Sequence, residues 1–264
     1  MMSNYRNMLE FKGKNIVVSG GLGLIGSYVC DAFLEFGGNV IVADINEKKF
    51  EELKTAKVSD GEKFSFTYFD ISIPQNAENQ FRGIVESNGR IDVWVNLAYP
   101  RTEDWNKGIE NVSFESWDEN VRMHLGGYFW ISKLVLEHMK NKKYGSLINF
   151  GSIYGIVGPN FDIYKGTDMT MPVAYSAIKG AIVNLSRYFA ALYGPYNVRV
   201  NTICPGGIED GQPREFIEKY SELTPLKRMG KPEEMALPTL FLASDGASYV
   251  NGHTLMVDGG WTAW

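Results

Sequence analysis

Asn15-Ile-Val-Val-Ser19, followed at once by Gly20-Gly-Leu-Gly-Leu-Ile-Gly26, is the stretch on which the fold turns. The first five residues are apolar and β-prone, whereas the next seven are too rich in glycine for the interior of a strand or helix. Beyond them Val29, Ala32, Phe33 and Phe36 recur at helical spacing until Gly37-Gly38 stops the run. Asn39-Val-Ile-Val-Ala-Asp44 is then a second short apolar run with an acidic end. Strand, glycine turn, helix, strand and carboxylate together make the pattern of a dinucleotide-binding unit. Small residues at Gly20, Gly23 and Gly26 let backbone approach a pyrophosphate. Leu24, Ile25 and Gly26 open the helix, where unpaired N–H groups and the positive dipole end favour an anion. Asp44 can accept hydrogen bonds from both hydroxyls of an adenosine ribose. Its charge repels a 2′-phosphate, and neither Ile45 nor Asn46 is basic, so NAD is favoured over NADP. The same Asp44-Ile-Asn46 run also reads as a helix cap.

Outward from this unit, the pattern keeps alternating. Strands are expected at 64–69, 91–96, 145–150, 198–203 and 253–257. Helices are expected at 75–88, 114–139 with a kink at Gly126-Gly127, 173–192, about 215–222 and 232–242. Such alternation predicts an α/β fold, a doubly wound parallel sheet of about seven strands with helices on both faces. With no linker or repeat, residues 1–264 read as one domain. Asp70, ending the third strand beside Ile71, either meets the adenine or faces water. A net charge of −5 with no basic stripe argues against a nucleic-acid partner. No apolar run is long enough to span a bilayer. The polar start, Met1 to Gly13, lacks the centre of a secretion signal and reads as a short leader. Cys30 and Cys204 are too few for a disulfide framework and show no metal spacing. No metal is expected, and the cytoplasm is the expected compartment.

The chemistry centres on Tyr175-Ser-Ala-Ile-Lys179. Four residues apart on a helix, phenol and ammonium share one face. A phenol with a pKa near ~10 holds its proton too tightly at neutral pH, and a neighbouring positive charge lowers that value. Alone, such a pair reads as a solvated helix face. Following a dinucleotide unit, it makes the chain resemble the short-chain dehydrogenase/reductases. Asn149-Phe-Gly-Ser152-Ile-Tyr-Gly155 looks like the family's segment carrying the catalytic serine. Val198 to Gly207 resembles the strand and turn that close over the nicotinamide. Arg228-Met-Gly-Lys-Pro-Glu-Glu234, Phe241 to Asp245 and Asn251 to Gly260 match the C-terminal signature. The resemblance implies a Rossmann-type fold, with Tyr175 transferring a proton and Lys179 tuning it and holding the ribose. Ser152 would stabilise the reacting oxygen. It places Asn96 and Ala98 beside the ribose, and Pro205, Gly206 and Ile208 beside the carboxamide. It also implies a homodimer or homotetramer, for which the ending Trp261-Thr-Ala-Trp264 either supplies a buried contact or is a frayed tail.

Four features depart from the family pattern. The glycine spacing is that of the extended branch, with Leu24 where the short pattern has its middle glycine. Asn96-Leu-Ala-Tyr99 places a bulky ring where the family keeps bare backbone, followed by Pro100-Arg101. Arg101 reads as a partner for a substrate anion or as a solvated loop residue. His124 stands where the family has an asparagine that supports a proton-relay water. A histidine can donate and accept, so it either continues the relay or merely packs. Finally, Ser152 and Tyr175 are unusually far apart, the gap (153–172) holding an insert from Pro159 to Pro172 that must pass over the site. Its Tyr164 and Lys165, with Tyr99 and Arg101, are the substrate candidates; the segment 206–226 is the other substrate loop. Insert and Tyr99-Pro-Arg101 variant resemble members associated with bacterial surface-sugar and flagellin glycosylation. The expectation is an NAD-dependent dehydrogenase acting on a carbohydrate-like small molecule. The alternatives are an NAD-binding sensor and an NAD-retaining epimerase.

Overall fold

The computed structural model describes residues 5–56 and 63–264. Seven parallel strands stand in the order β3-β2-β1-β4-β5-β6-β7. They are β1 Asn15–Ser19, β2 Asn39–Asp44, β3 Phe64–Tyr68, β4 Val93–Asn96, β5 Gly145–Phe150, β6 Val198–Pro205 and β7 Thr254–Val257. The central strands are apolar throughout because both faces are covered, as parallel sheets require. On one face α3 (Pro74–Asn88), α5 (Gly126–Lys142) and α6 (Val173–Tyr193) pack with Trp94, Ile131, Leu136 and Ile178 at their core. On the other, α1 (Gly26–Glu35), α2 (Glu47–Ala56) and α8 (Ala236–Ala243) bury Val29, Phe33, Phe50 and Leu240. The fold is therefore a Rossmann-type α/β sheet. Strand order reverses between β1 and β4, so the binding crevice of such a sheet opens at their carboxyl ends. Gly20 leaves β1 there at φ +74, and a Cβ on it would lie 2.6 Å from the Ala98 nitrogen. Only glycine fits.

Three expectations about local structure are corrected. The stretch read as a leader packs on the fold at Phe11, which is fully buried, edge-on to Phe33 at 4.9 Å, with its N–H donating to the Phe36 carbonyl at 2.8 Å. Residues 1–4 of that stretch lie outside the described ones. The irregularity in the long helix lies before Gly126-Gly127, not at that pair. The helix runs as α4 (Phe114–Asn120), a π-helical turn over Val121–Leu125, and then α5. Gly127 serves close packing instead, since a Cβ there would lie 2.6 Å from the Ile71 carbonyl oxygen. At the C-terminus Trp261 is buried within the chain, stacked on Tyr220 at 4.3 Å, while Ala263 and Trp264 are exposed.

A polar hub fixes the carboxyl end of the sheet. Asn96 accepts from Trp94 Nε1 at 2.7 Å and Ser19 Oγ at 3.4 Å. It donates to Asn149 Oδ1 at 2.8 Å and Ser132 Oγ at 3.2 Å. Asn149 in turn donates to Ser186 Oγ at 2.9 Å, and the Tyr128 hydroxyl donates to the Asn96 carbonyl at 2.9 Å. β1, β4, β5, α5 and α6 are thereby locked together beside the crevice.

Candidate active site

A cleft of about 400 Å³ opens at the crevice, walled by the glycine turn, the ends of β2 and β3, and the segment after β4. Gly20, Leu22 and Gly23 form its floor. Asp44, Asp70 and Ile71 stand on one side, Leu97, Ala98 and Tyr99 on the other. The Asp44 carboxylate accepts from the N–H groups of Leu22 at 3.0 Å and Asn46 at 3.2 Å, so it is aimed before any ligand arrives. Asp70 Oδ1 accepts from Ser72 N–H at 2.9 Å and from its hydroxyl at 2.6 Å. Lys49 also lines the cleft, a cation one helical turn past Asn46 that the sequence reading did not single out. Leu24 is exposed, while Ile25 packs on the core and a Cβ on Gly26 would strike the Gly20 carbonyl. The Asn96 side chain belongs to the polar hub, leaving Leu97 and Ala98 as the cleft wall at that point. Pro205 ends β6, and Gly206 and Gly207 are crowded by Tyr220, whose hydroxyl accepts the Gly207 N–H at 2.5 Å. Ile208 bridges to Gly230.

Ser152, Tyr175 and Lys179 come together beside Tyr99 of that cleft, whose ring lies 5.8 Å from both the Tyr175 ring and Lys179 Nζ. The turn after β5 lies directly on α6, because a Cβ on Gly155 would meet the Lys179 carbonyl oxygen at 2.7 Å. Lys179 is buried, and its Nζ donates to the Phe150 carbonyl at 2.8 Å while standing 5.6 Å from the centre of the Tyr175 ring. Burial pulls the Lys179 ammonium down to about 7. Burial also pushes the Tyr175 phenol above its ordinary value, with hydrogen bonding to the Ser152 side chain working the other way. The direction expected from the sequence, a phenol lowered by its lysine, is therefore corrected: in this state desolvation is the largest effect, and the group that works against it is Ser152.

His124 sits in the π-helical turn with no exposed surface, and neither ring nitrogen has a hydrogen-bond partner among the described residues. Burial, then the charge of Lys179, holds it far below the usual imidazole range, so it is neutral. Its ring lies 5.1 Å from Tyr99 and 5.2 Å from Tyr128. Tyr99 stands edge-on to both Tyr175 at 5.8 Å and Trp105 at 5.7 Å, and the exposed Arg101 guanidinium lies 5.5 Å from its ring. π-helical turns of this kind occur often at functional sites.

The insert docks rather than dangles. Its 3-10 turn Phe161–Tyr164 buries Tyr164 against Phe216 of α7 (Arg214–Leu223), ring centres 5.3 Å apart. Tyr154, Tyr164, Phe216, Tyr220 and Trp261 form one aromatic cluster against which Tyr175 packs. Lys165 is not turned toward it; exposed, it pairs with Asp162 at 2.6 Å. Tyr154 and Tyr220 escaped the sequence reading, and only the density of aromatics around the insert hinted at them.

Residues 24–262 match the family model described as enoyl-(acyl carrier protein) reductase. The chain is a short-chain dehydrogenase/reductase. It is similar, at 36% identity, to post-translational flagellin modification protein A of Campylobacter coli, over 96% of this chain and 99% of that one. It is 30% identical to meso-2,3-butanediol dehydrogenase of Serratia marcescens, over 97% of each. A solved short-chain dehydrogenase from Leptospira borgpetersenii with bound NAD+ superposes with a TM-score of 0.84 at 30% identity, covering 99% and 97% of the two chains. The protein is thus a hydride-transferring oxidoreductase that uses a nicotinamide cofactor. Its residues fit that cofactor: backbone at Gly20 lies bare where a Cβ has no room, and an oriented carboxylate waits at the ribose end.

Proposed function

We propose that this short-chain dehydrogenase/reductase uses NAD to interconvert a secondary alcohol and a ketone on a hydroxyl-rich, carbohydrate-like small molecule. The convergence of Ser152, Tyr175 and Lys179 beside Tyr99 of the cleft carries the reading. Backbone at Gly20 and Gly23 would hold the pyrophosphate, and Asp44 the ribose hydroxyls, its charge disfavouring a 2′-phosphate. The nicotinamide, when bound, supplies or takes the hydride. Ser152 donates a hydrogen bond to the substrate oxygen and steadies charge developing there. Tyr175 gives that oxygen its proton in reduction and takes it back in oxidation. Lys179 holds the cofactor ribose and exchanges protons with Tyr175. His124, neutral and with two unbonded nitrogens, passes protons onward in place of the family's asparagine.

The hydroxyl-rich substrate is supported by the phenol-lined insert and by likeness to the flagellin modification protein and the diol dehydrogenase. Arg101 at the cleft mouth is the candidate for any anionic group. The exposed Phe129 of α5 and the Tyr188 and Leu192 of α6 suit a homodimer or homotetramer contact. Two buried cysteines that form no disulfide among the described residues, and dependence on NAD, suit the cytoplasm. No described helix is long and apolar enough to cross a membrane.

The test incubates the protein with NAD or NADP and a panel of sugars, sugar phosphates and polyols, following absorbance of the reduced nicotinamide. Faster turnover with NAD supports the reading. Binding of NADH without turnover of any compound supports a sensor instead, and isomer interconversion without net nicotinamide change supports an epimerase.

A further inference from the structure

Two phenols beside the reacting centre have no place in the chemistry just described. Tyr154 follows Ser152 by two residues on the 3-10 turn Ile153–Gly155, and its N–H donates to Ser152 Oγ at 3.2 Å. Tyr164 arrives from the insert and donates its hydroxyl proton to the Tyr154 hydroxyl at 3.4 Å. Both are buried. A pair of phenols carries two protons, and one hydrogen bond between them uses only one. Among the described residues no acceptor takes the other, the Tyr154 O–H. A buried donor without an acceptor is costly, so the position favours an arriving oxygen.

The pair is also held in place. Tyr164 is pinned through its carbonyl, which accepts from Thr167 Oγ1 at 2.7 Å, and through its ring on Phe216. Tyr175 packs against the same cluster, close enough for its charge to act on both phenols, so the spare donor and the reacting phenol are neighbours. Burial pushes Tyr154, Tyr164 and Tyr175 all upward, and all three are neutral at working pH. The nearby lysines of the insert and α7 are engaged elsewhere: Lys165 with Asp162, Lys219 with Glu215 at 2.8 Å and with the Lys165 carbonyl. What this wall offers is a neutral hydrogen-bond donor.

We infer that Tyr154, positioned by Tyr164, binds a second, uncharged hydroxyl of the substrate beyond the oxygen that Ser152 and Tyr175 would take. The subsite deepens the dehydrogenase reading above and rests on it. It makes the insert a specificity device, present to bring Tyr164 against Tyr154, and it selects a polyol or hydroxyketone over a bare ketone at this end.

Two ketones that differ by one hydroxyl, 3-hydroxy-2-butanone and 2-butanone, test it with NADH and the full-length protein. For Tyr154→Phe, kcat/KM on the hydroxyketone falls about tenfold, mainly through KM, while the value on 2-butanone stays within about twofold. Tyr164→Phe shows the same selective loss, and the double variant loses little more, because the two hydroxyls act as a unit. Equal losses on both ketones, or no loss on either, overturn the subsite while leaving the dehydrogenase standing. Where wild type turns over a panel sugar and neither ketone, that sugar and its deoxy analogue replace the two ketones; turnover of no ketone and no panel member overturns the reading beneath it, and the subsite falls with it.

Discussion

Asn96 and His124 are both sealed from solvent within the same third of the molecule, yet their surroundings could hardly differ more. Around Asn96 each polar atom of the side chain is bonded, to Trp94, Ser19, Ser132 and Asn149. Around His124 neither nitrogen is bonded, and the neighbours are the rings of Tyr99 and Tyr128 and the buried Lys179. A buried polar group left unbonded costs about 1–3 kcal/mol, so folds retain few of them. The first region holds the sheet together; the second has no such bonding among the described residues, and the proton relay proposed above would use it. Polar burial near a cleft is thus two things, and the bonding of each atom tells them apart.

Lys179 sharpens the contrast most. Its ammonium is held down to about 7 in the fold against 10.5 unfolded, so between those values the folded state carries fewer protons. Stability then rises with pH across that window, by up to about 1.4 kcal/mol per unit, and the cost of burying the charge is fully present below pH 7. Denaturant melts at pH 7 and 9 should show this gain in wild type and its absence in Lys179→Met. Next in size, Asn96→Ala orphans several buried partners at once and should lose about 2–4 kcal/mol of stability. A loss below about 1 kcal/mol would erase the distinction between the two regions. Asp44→Ala should raise the KM for NAD by about tenfold and narrow its advantage over NADP, as expected for the loss of charged hydrogen bonds. The smallest effect is on His124→Leu, which removes two orphaned nitrogens and should gain up to about 1 kcal/mol while slowing turnover. Lost stability with unchanged turnover would make His124 a packing residue only.

How far each region was legible follows from what specifies it. The glycine turn, Asp44 and the strands around them are written in local pattern, and the structure places them within a residue or two of expectation. Tyr175, Lys179 and Ser152 were found through motif spacing, which says where side chains meet and nothing of how deeply they are buried. Hence the direction of the Tyr175 shift came out reversed. The π-helical turn at Val121–Leu125 has no propensity signal, since it differs from an α-helix only in bonding register. Apart from the Trp94–Asn96 bond, the Asn96 hub and the Tyr154–Tyr164 pair join residues 10 to 77 positions apart in sequence, and tertiary packing creates them.

The proposed function depends on Tyr175 as the proton carrier beside the nicotinamide. Tyr175→Phe removes one oxygen and keeps the ring, so NADH binding, followed by nicotinamide fluorescence, should stay within about twofold of wild type while turnover drops by about 10²–10⁴. A variant that binds NADH normally and still turns over at the wild-type rate would contradict that assignment.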